Sequence, residues 1–262
     1  MKKRKGESCY MCDAKATSRE HVPPLCLFPE KKDIDFVNLR ENLITVPSCE
    51  LHNSKKSKDD EFLLACMAGL VGNNSIAFIH NATKVKRMIE RYGDHFIEVF
   101  NKNAEHKTFK TSNGLTFPIA YGMPDIPRLI RCFEHIAYGL YYHVHKERFN
   151  GTCKVIPSFV NYTNANMRAL VDVITRRYAF HEKDNETAEY GNNPLVFQYW
   201  MVEPDKLGIS GMKMTFYEGA DVFVAFKPKE LDVRGDLVST MIKEGIKVHV
   251  TFPDGAPPVE FN

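Results

Sequence analysis

Little net charge, no membrane-length apolar run and no even set of cysteines mark this sequence. Lys and Arg number 35 against 33 Asp and Glu, a net +2 over 262 residues, so bulk charge announces no polyanionic partner. The distribution leans slightly: residues 1–58 carry 12 Lys/Arg and 8 Asp/Glu, which leaves net +4 there and −2 in the remainder. The longest apolar stretch, Phe62 to Gly72, falls short of the ~20 residues that cross a bilayer, and no membrane partner is expected. Seven cysteines are an odd number and make a poor disulfide framework. Met1-Lys2-Lys3-Arg4-Lys5 starts like a signal peptide, but Gly6-Glu7-Ser8-Cys9 follows where the apolar core would begin. A cytoplasmic chain with reduced thiols is the expectation. No internal repeat, heptad run or low-complexity segment occurs, and with 44% hydrophobic and 26% charged residues the composition excludes general disorder.

What is present divides into three stretches. Residues 1–7 form a basic tail. Residues 8–74 begin rich in Cys, His, Pro and charge, with a short strand expected at Leu43–Val46 and a helix from Lys55, where Asp59-Asp60-Glu61 supply negative charge near its start. Residues 75–262 read as an α+β region, first helical and then built of antiparallel strands. Helices are expected at Ala82–Lys102, Pro127–Phe149 and Asn164–Tyr178 from apolar residues recurring at helical spacing. Strands are expected at Leu195–Val202, Met212–Tyr217, Ala220–Phe226 and Ile246–Phe252, with Glu218-Gly219 as a hairpin turn.

Metal-ligand spacing is the sharpest local signal. Cys9-x-x-Cys12 and Cys49-x-x-His52 share a two-residue gap. Each such knuckle offers two soft ligands to one side of a tetrahedral zinc ion, and two knuckles complete it. The 36 residues between Cys12 and Cys49 exceed a zinc-ribbon spacing, so something is inserted. The insert contains Arg19-Glu20-His21-Val22-Pro23-Pro24 and Glu41-Asn42-Leu43-Ile44-Thr45-Val46-Pro47-Ser48, and leads into Cys49-Glu50-Leu51-His52-Asn53-Ser54-Lys55-Lys56-Ser57.

This order of residues resembles the HNH endonuclease family. His21 matches its first His, Asn42 its central Asn, and Asn53 its last position, while His52 stands where zinc-bearing members carry a fourth cysteine. The resemblance covers about a quarter of the chain and implies a zinc-stapled ββα-metal module over 8–74. It further implies a metal-dependent phosphodiester hydrolase leaving 5′-phosphate and 3′-hydroxyl ends. In that reading His21 is the general base, since a neutral imidazole near its ordinary pKa can take a proton from water at pH 7. Asn42 braces the loop and orients His21. Glu20 and the Asn53 amide oxygen hold Mg²⁺ or another divalent ion, which prefers oxygen ligands; Glu20, one methylene longer than the usual Asp, can also act through a water. Arg19, Lys55, Lys56 and Lys58 meet phosphates.

Plainer readings stand beside these. Asn53 can cap the helix that follows, the three lysines can be a solvated helix face, and Cys9-x-x-Cys12 can be a redox pair. Cys26, Cys66, Cys132 and Cys153 read as buried thiols, and His135, His143 and His145 as parts of an amphipathic helix. Arg176-Arg177-Tyr178 carries only a weak suggestion of nucleic-acid stacking. DNA is expected ahead of RNA, in a restriction or anti-phage defence setting, with residues 75–262 providing targeting, a homodimer interface or a regulatory contact. The rivals are a catalytically inactive zinc-stabilised nucleic-acid-binding or scaffold protein, and a ribonuclease toxin.

Overall fold

The structure, a computed structural model, describes residues 7–92, 105–110, 114, 116–121, 124–184, 193–206, 208–229, 244–252 and 255–261. It is an α+β arrangement with antiparallel sheets. Strands β1 (Ser18–His21) and β2 (Thr45–Ser48) form the first pair, with Ser18 opposite Ser48 and His21 opposite Thr45. A single 3₁₀ turn, Ser54–Lys56, then runs into α1 (Ser57–Ala68). After α2 (Ser75–His80) the chain makes a π turn and continues as α3 (Lys86–Tyr92). The helix expected from Ala82 is therefore present to Tyr92; its remainder, 93–102, lies outside the described residues.

Strands β3 (Glu105–Lys110) and β4 (Thr116–Tyr121) make a second pair. Helix α4 (Ile126–His145) starts where Asp125 accepts a hydrogen bond from the Arg128 amide and Pro127 occupies the first turn, the position at which a missing N–H costs nothing. It stops at Lys146, which adopts a left-handed conformation with φ 59°, four residues before the Asn150-Gly151 boundary read from sequence. Helix α5 (Ala165–Asp184) begins at the expected place, with Asn164 accepting from the Met167 amide, and runs six residues past Tyr178.

The principal sheet has the order β5–β8–β7–β6, all antiparallel, from β5 (Gly151–Pro157), β6 (Phe197–Val202), β7 (Ser210–Phe216) and β8 (Ala220–Pro228). Strict alternation along β7 buries Ser210, Met212, Met214 and Phe216 on one face, as a period of two requires. That face receives α4, whose Phe133 ring lies 5.6 Å from Phe216. The opposite face receives α5, whose Tyr178 sits 5.3 Å from Trp200 and 5.1 Å from Phe223, which removes Tyr178 from the stacking role considered above. Strands β9 (Val248–Val250) and β10 (Val259–Phe261) pair separately.

The expected hairpin turn is present, but its strain falls elsewhere. Positive φ angles belong to Tyr217 (47°) and Glu218 (60°). Gly219 is needed for space, because a Cβ there would stand 2.5 Å from the Gly72 carbonyl oxygen. A second close approach joins α4 to the N-terminal strands: a Cβ on Gly139 would lie 2.7 Å from Val22 Cγ2. One continuous cluster of buried apolar residues runs from Cys9 and Val22 through Phe62 and Leu63 to Phe133, Phe216 and Phe226. The boundary at 74 thus does not coincide with a break in the core. No described helix is long and apolar enough to cross a membrane.

Candidate metal centre and the adjoining strand pair

The first knuckle is a tight turn. Ser8 bridges Lys15 and the Cys9 amide donates to the Ala14 carbonyl at 2.8 Å. The Tyr10 amide donates to Pro47 O at 2.9 Å, which ties this turn to the end of β2, two residues before Cys49. The second knuckle, Cys49 to His52, is the turn that leaves β2. The four ligand atoms of Cys9, Cys12, Cys49 and His52 all lie within 4.8 Å of one another, close enough to hold one metal ion.

Individual separations test which metal suits them. Cys12 Sγ and Cys49 Sγ are 3.8 Å apart, and His52 Nδ1 lies 3.3 Å from Cys49 Sγ and 3.5 Å from Cys9 Sγ. With zinc–sulfur bonds of about 2.3 Å and zinc–nitrogen bonds of about 2.0 Å, a tetrahedron has edges of about 3.8 and 3.5 Å, so both the donor set and the spacing suit zinc. The sulfur–sulfur distance of 3.8 Å far exceeds a disulfide bond of about 2.05 Å. Burial opposes ionisation of Cys49, yet the backbone N–H of His52, with Cys9, Cys12 and the Leu51 N–H, outweighs it and holds this thiol below its ordinary value. Burial holds His52 below its usual pKa, which favours the neutral imidazole that a metal ligand has to be. We expect the purified protein to carry one zinc per chain by elemental analysis and Cys49→Ser to carry well below one.

The strand pair beside this centre presents two faces. Arg19 and His21 lie on the solvent side; the Arg19 guanidinium crosses to Thr45, with Nε 2.9 Å from its Oγ1 and Nη2 2.6 Å from its carbonyl oxygen. Thr45 is the strand partner of His21, so Arg19 and His21 share one surface. Asn53 clips the start of the helix to this strand from the Glu20 side, donating Nδ2 to Ser18 Oγ at 2.8 Å and to the backbone carbonyl of Arg19 at 3.2 Å. It makes no side-chain cap to the following turn, so the capping alternative is not realised. Lys58 is exposed; the expectation for Lys55 lies outside the described side chains.

Glu20 points the other way, and here the structure corrects the sequence reading. Adjacent residues of a strand project to opposite faces, and Glu20 is 6% exposed beneath β1. Its Oε1 lies 2.6 Å from Lys56 Nζ, which is also 2.6 Å from Asp60 Oδ1. Lys56 is 8% exposed, so it is neither a solvated helix face nor available to phosphate. As placed, Glu20 does not fit a divalent ion shared with His21, because its carboxylate is turned away and already neutralised. Burial would lower the Lys56 pKa, but Asp60 and Glu20 raise it above the ordinary lysine value. Burial raises both carboxyls, with Lys56 opposing.

Asn42 occupies the exposed turn before β2 in a left-handed conformation, φ 53°, which asparagine tolerates better than most residues. His21 is held below its ordinary pKa, first by burial and then by the Arg40 cation. Arg40 was not legible as a site residue: its Nε donates to Phe28 O at 3.0 Å, and only the fold brings its charge to His21. His135 was likewise read as an ordinary helix residue, yet α4 sets its ring edge-on to His52, centroids 5.7 Å apart. Cys26, Cys132 and Cys153 are thiols whose pKa burial pushes up to about 12, in keeping with inert roles, and burial raises Cys66 as well.

Comparisons with models of protein families, with curated proteins and with solved structures find no match to this chain.

Proposed function

We propose that the chain is a zinc-stapled, metal-dependent endonuclease of the HNH type, with DNA as the favoured substrate. The observation that carries this reading is the Asn53 clip. By binding Ser18 and Arg19, Asn53 brings the start of the helix against the strand that bears His21, in the order strand, strand, helix that a ββα-metal site requires. Both Asn53 donations come from its amide nitrogen, which leaves Oδ1 as the atom a hard cation takes. A divalent ion held there supplies charge neutralisation for the phosphate. His21 removes a proton from the attacking water, Arg19 binds the phosphate beside it, and Asn42 holds the turn.

Supercoiled plasmid, with and without added Mg²⁺ or Mn²⁺, tests the reading. Wild-type protein nicks only with metal, and zinc-loaded, folded His21→Ala is slower by about a hundredfold or more, the contribution of a positioned general base. Activity also falls with acid as the imidazole protonates. Because burial and Arg40 hold His21 below its ordinary value of 6.5, the acid limb has its midpoint below that pH; a midpoint above 7 counts against His21 as the base. One observation favours a second reading: with Glu20 sequestered by Lys56, the proposed ion has one carboxylate fewer. A zinc-stabilised nucleic-acid-binding protein without catalysis retards plasmid in a gel and never cuts it. RNA digested in parallel identifies a ribonuclease.

A further inference from the structure

The segment between β1 and β2 carries Asn42, and the chain ends flanking the principal sheet's strands grip it at one buried and one half-buried point. At one, the Tyr217 hydroxyl donates to Leu27 O at 2.6 Å while lying 3.0 Å from His80 Nδ1. At the other, Asn193 Nδ2 donates to the carbonyl oxygen of Glu41 at 3.1 Å. Asn193 is 9% exposed, and its own carbonyl accepts from the amides of Val196 and Phe197 at 2.9 and 3.0 Å, so its position is set by the start of β6. Asn193 and Phe197 close a narrow gap whose other wall is Val22, Pro23, Asn42 and Ile44. Val22 follows His21 directly, and its amide donates to Ile44 O at 3.0 Å. The Glu41 carbonyl thus belongs to the peptide that leads into the left-handed Asn42, which shares a wall of the gap with Val22 at the end of the His21 strand.

We propose that Asn193 is a positioning residue for the candidate nuclease site, a buried amide that holds the Asn42 turn against the end of β1. This rests on the reading of that site as an HNH centre. The donor is what matters. Asn193→Asp keeps shape and volume but turns a carboxylate oxygen towards the Glu41 carbonyl, which replaces attraction by repulsion and frees the turn.

Two readouts test it on the full-length zinc-loaded protein. Amide hydrogen exchange in residues 38–46 of Asn193→Asp rises about tenfold, the scale of one hydrogen bond lost, while exchange around Cys9–Cys12 stays at the wild-type rate. Plasmid nicking shows kcat reduced about tenfold with KM unchanged. Lys213→Ala, on the α5 face of β7 where it pairs with Asp221, changes neither. Asn193→Ser, shorter but still a donor, falls between Asn and Asp in both. Wild-type exchange at 38–46 in the Asp variant overturns the proposal. So does loss of folding in both Asp and Ser variants, because Asn193 is then a folding residue. If wild type cuts nothing, the nuclease reading fails, and the exchange result still decides whether Asn193 holds the turn.

Discussion

A fragment of residues 1–75 is expected to bind zinc but not to fold into the N-terminal unit of the intact chain. Its apolar side chains are covered from outside the fragment. Val22 packs on Gly139 of α4, where no Cβ fits between them. Phe62, 1% exposed, lies under the Arg128 guanidinium at 4.4 Å, and Arg128 Nε also pairs with Asp59 at 2.7 Å. Leu27 O and Glu41 O receive Tyr217 and Asn193. Uncovering even four or five side chains of the Val, Leu and Phe class, at about 1.5–3 kcal/mol each, removes as much as the about 5–15 kcal/mol that holds a typical domain together. Zinc ligation is local to the two knuckles and persists. The expected fragment therefore binds one zinc, melts without a cooperative transition and binds an apolar dye. A sharp, two-state melt would instead establish 8–74 as an autonomous domain, and residues 75–262 would then be free to act purely in targeting, dimerisation or control.

Lys56→Met is expected to destabilise the intact protein by about 3–5 kcal/mol, as removal of one partner from a buried ion pair does. Glu20, Lys56 and Asp60 form a charged core contact beneath β1, with Nζ 2.6 Å from each carboxylate and side chains 7%, 9% and 22% exposed in that order. Without the ammonium, two carboxylates face each other in a poorly solvated space and at least one takes up a proton. Adding Glu20→Gln to Lys56→Met removes one of the stranded charges and recovers part of the loss. Urea unfolding of the zinc-loaded single and double variants measures both effects. A loss below about 1 kcal/mol is what an exposed pair gives, and would return Lys56 to the solvated helix face inferred from sequence.

Helix starts were legible where a chemically distinctive residue stood: Pro127 marks the first turn of α4 and Asn164 the start of α5, whereas the Asp125 cap of α4 emerges only from the fold. Strands β7 and β8 were legible as a pair because burial repeats every second residue along β7 and an apolar run, Val222–Val224, fills both faces of β8. Strand β5 was not, since its first four residues alternate between half-buried and exposed and only Val155, Ile156 and Pro157 are buried. The end of α4 was placed too late because nothing about a lysine announces a left-handed residue.

The sequence by itself picked out the four candidate metal ligands. Two pairs of soft donors, each separated by two residues, are a local and chemically rare arrangement, and the fold brings Cys9, Cys12, Cys49 and His52 together as that spacing demands. Tertiary structure alone decided the partners of Glu20, Lys56, Glu41 and His21. Glu20 and His21 are neighbours in the chain but occupy opposite faces of a strand, so adjacency could not put both on one ion. Lys56, Asn193 and Arg40 reach their partners from other elements. Such contacts depend on strand parity and on which helix covers which face, and both are set only when the whole core closes.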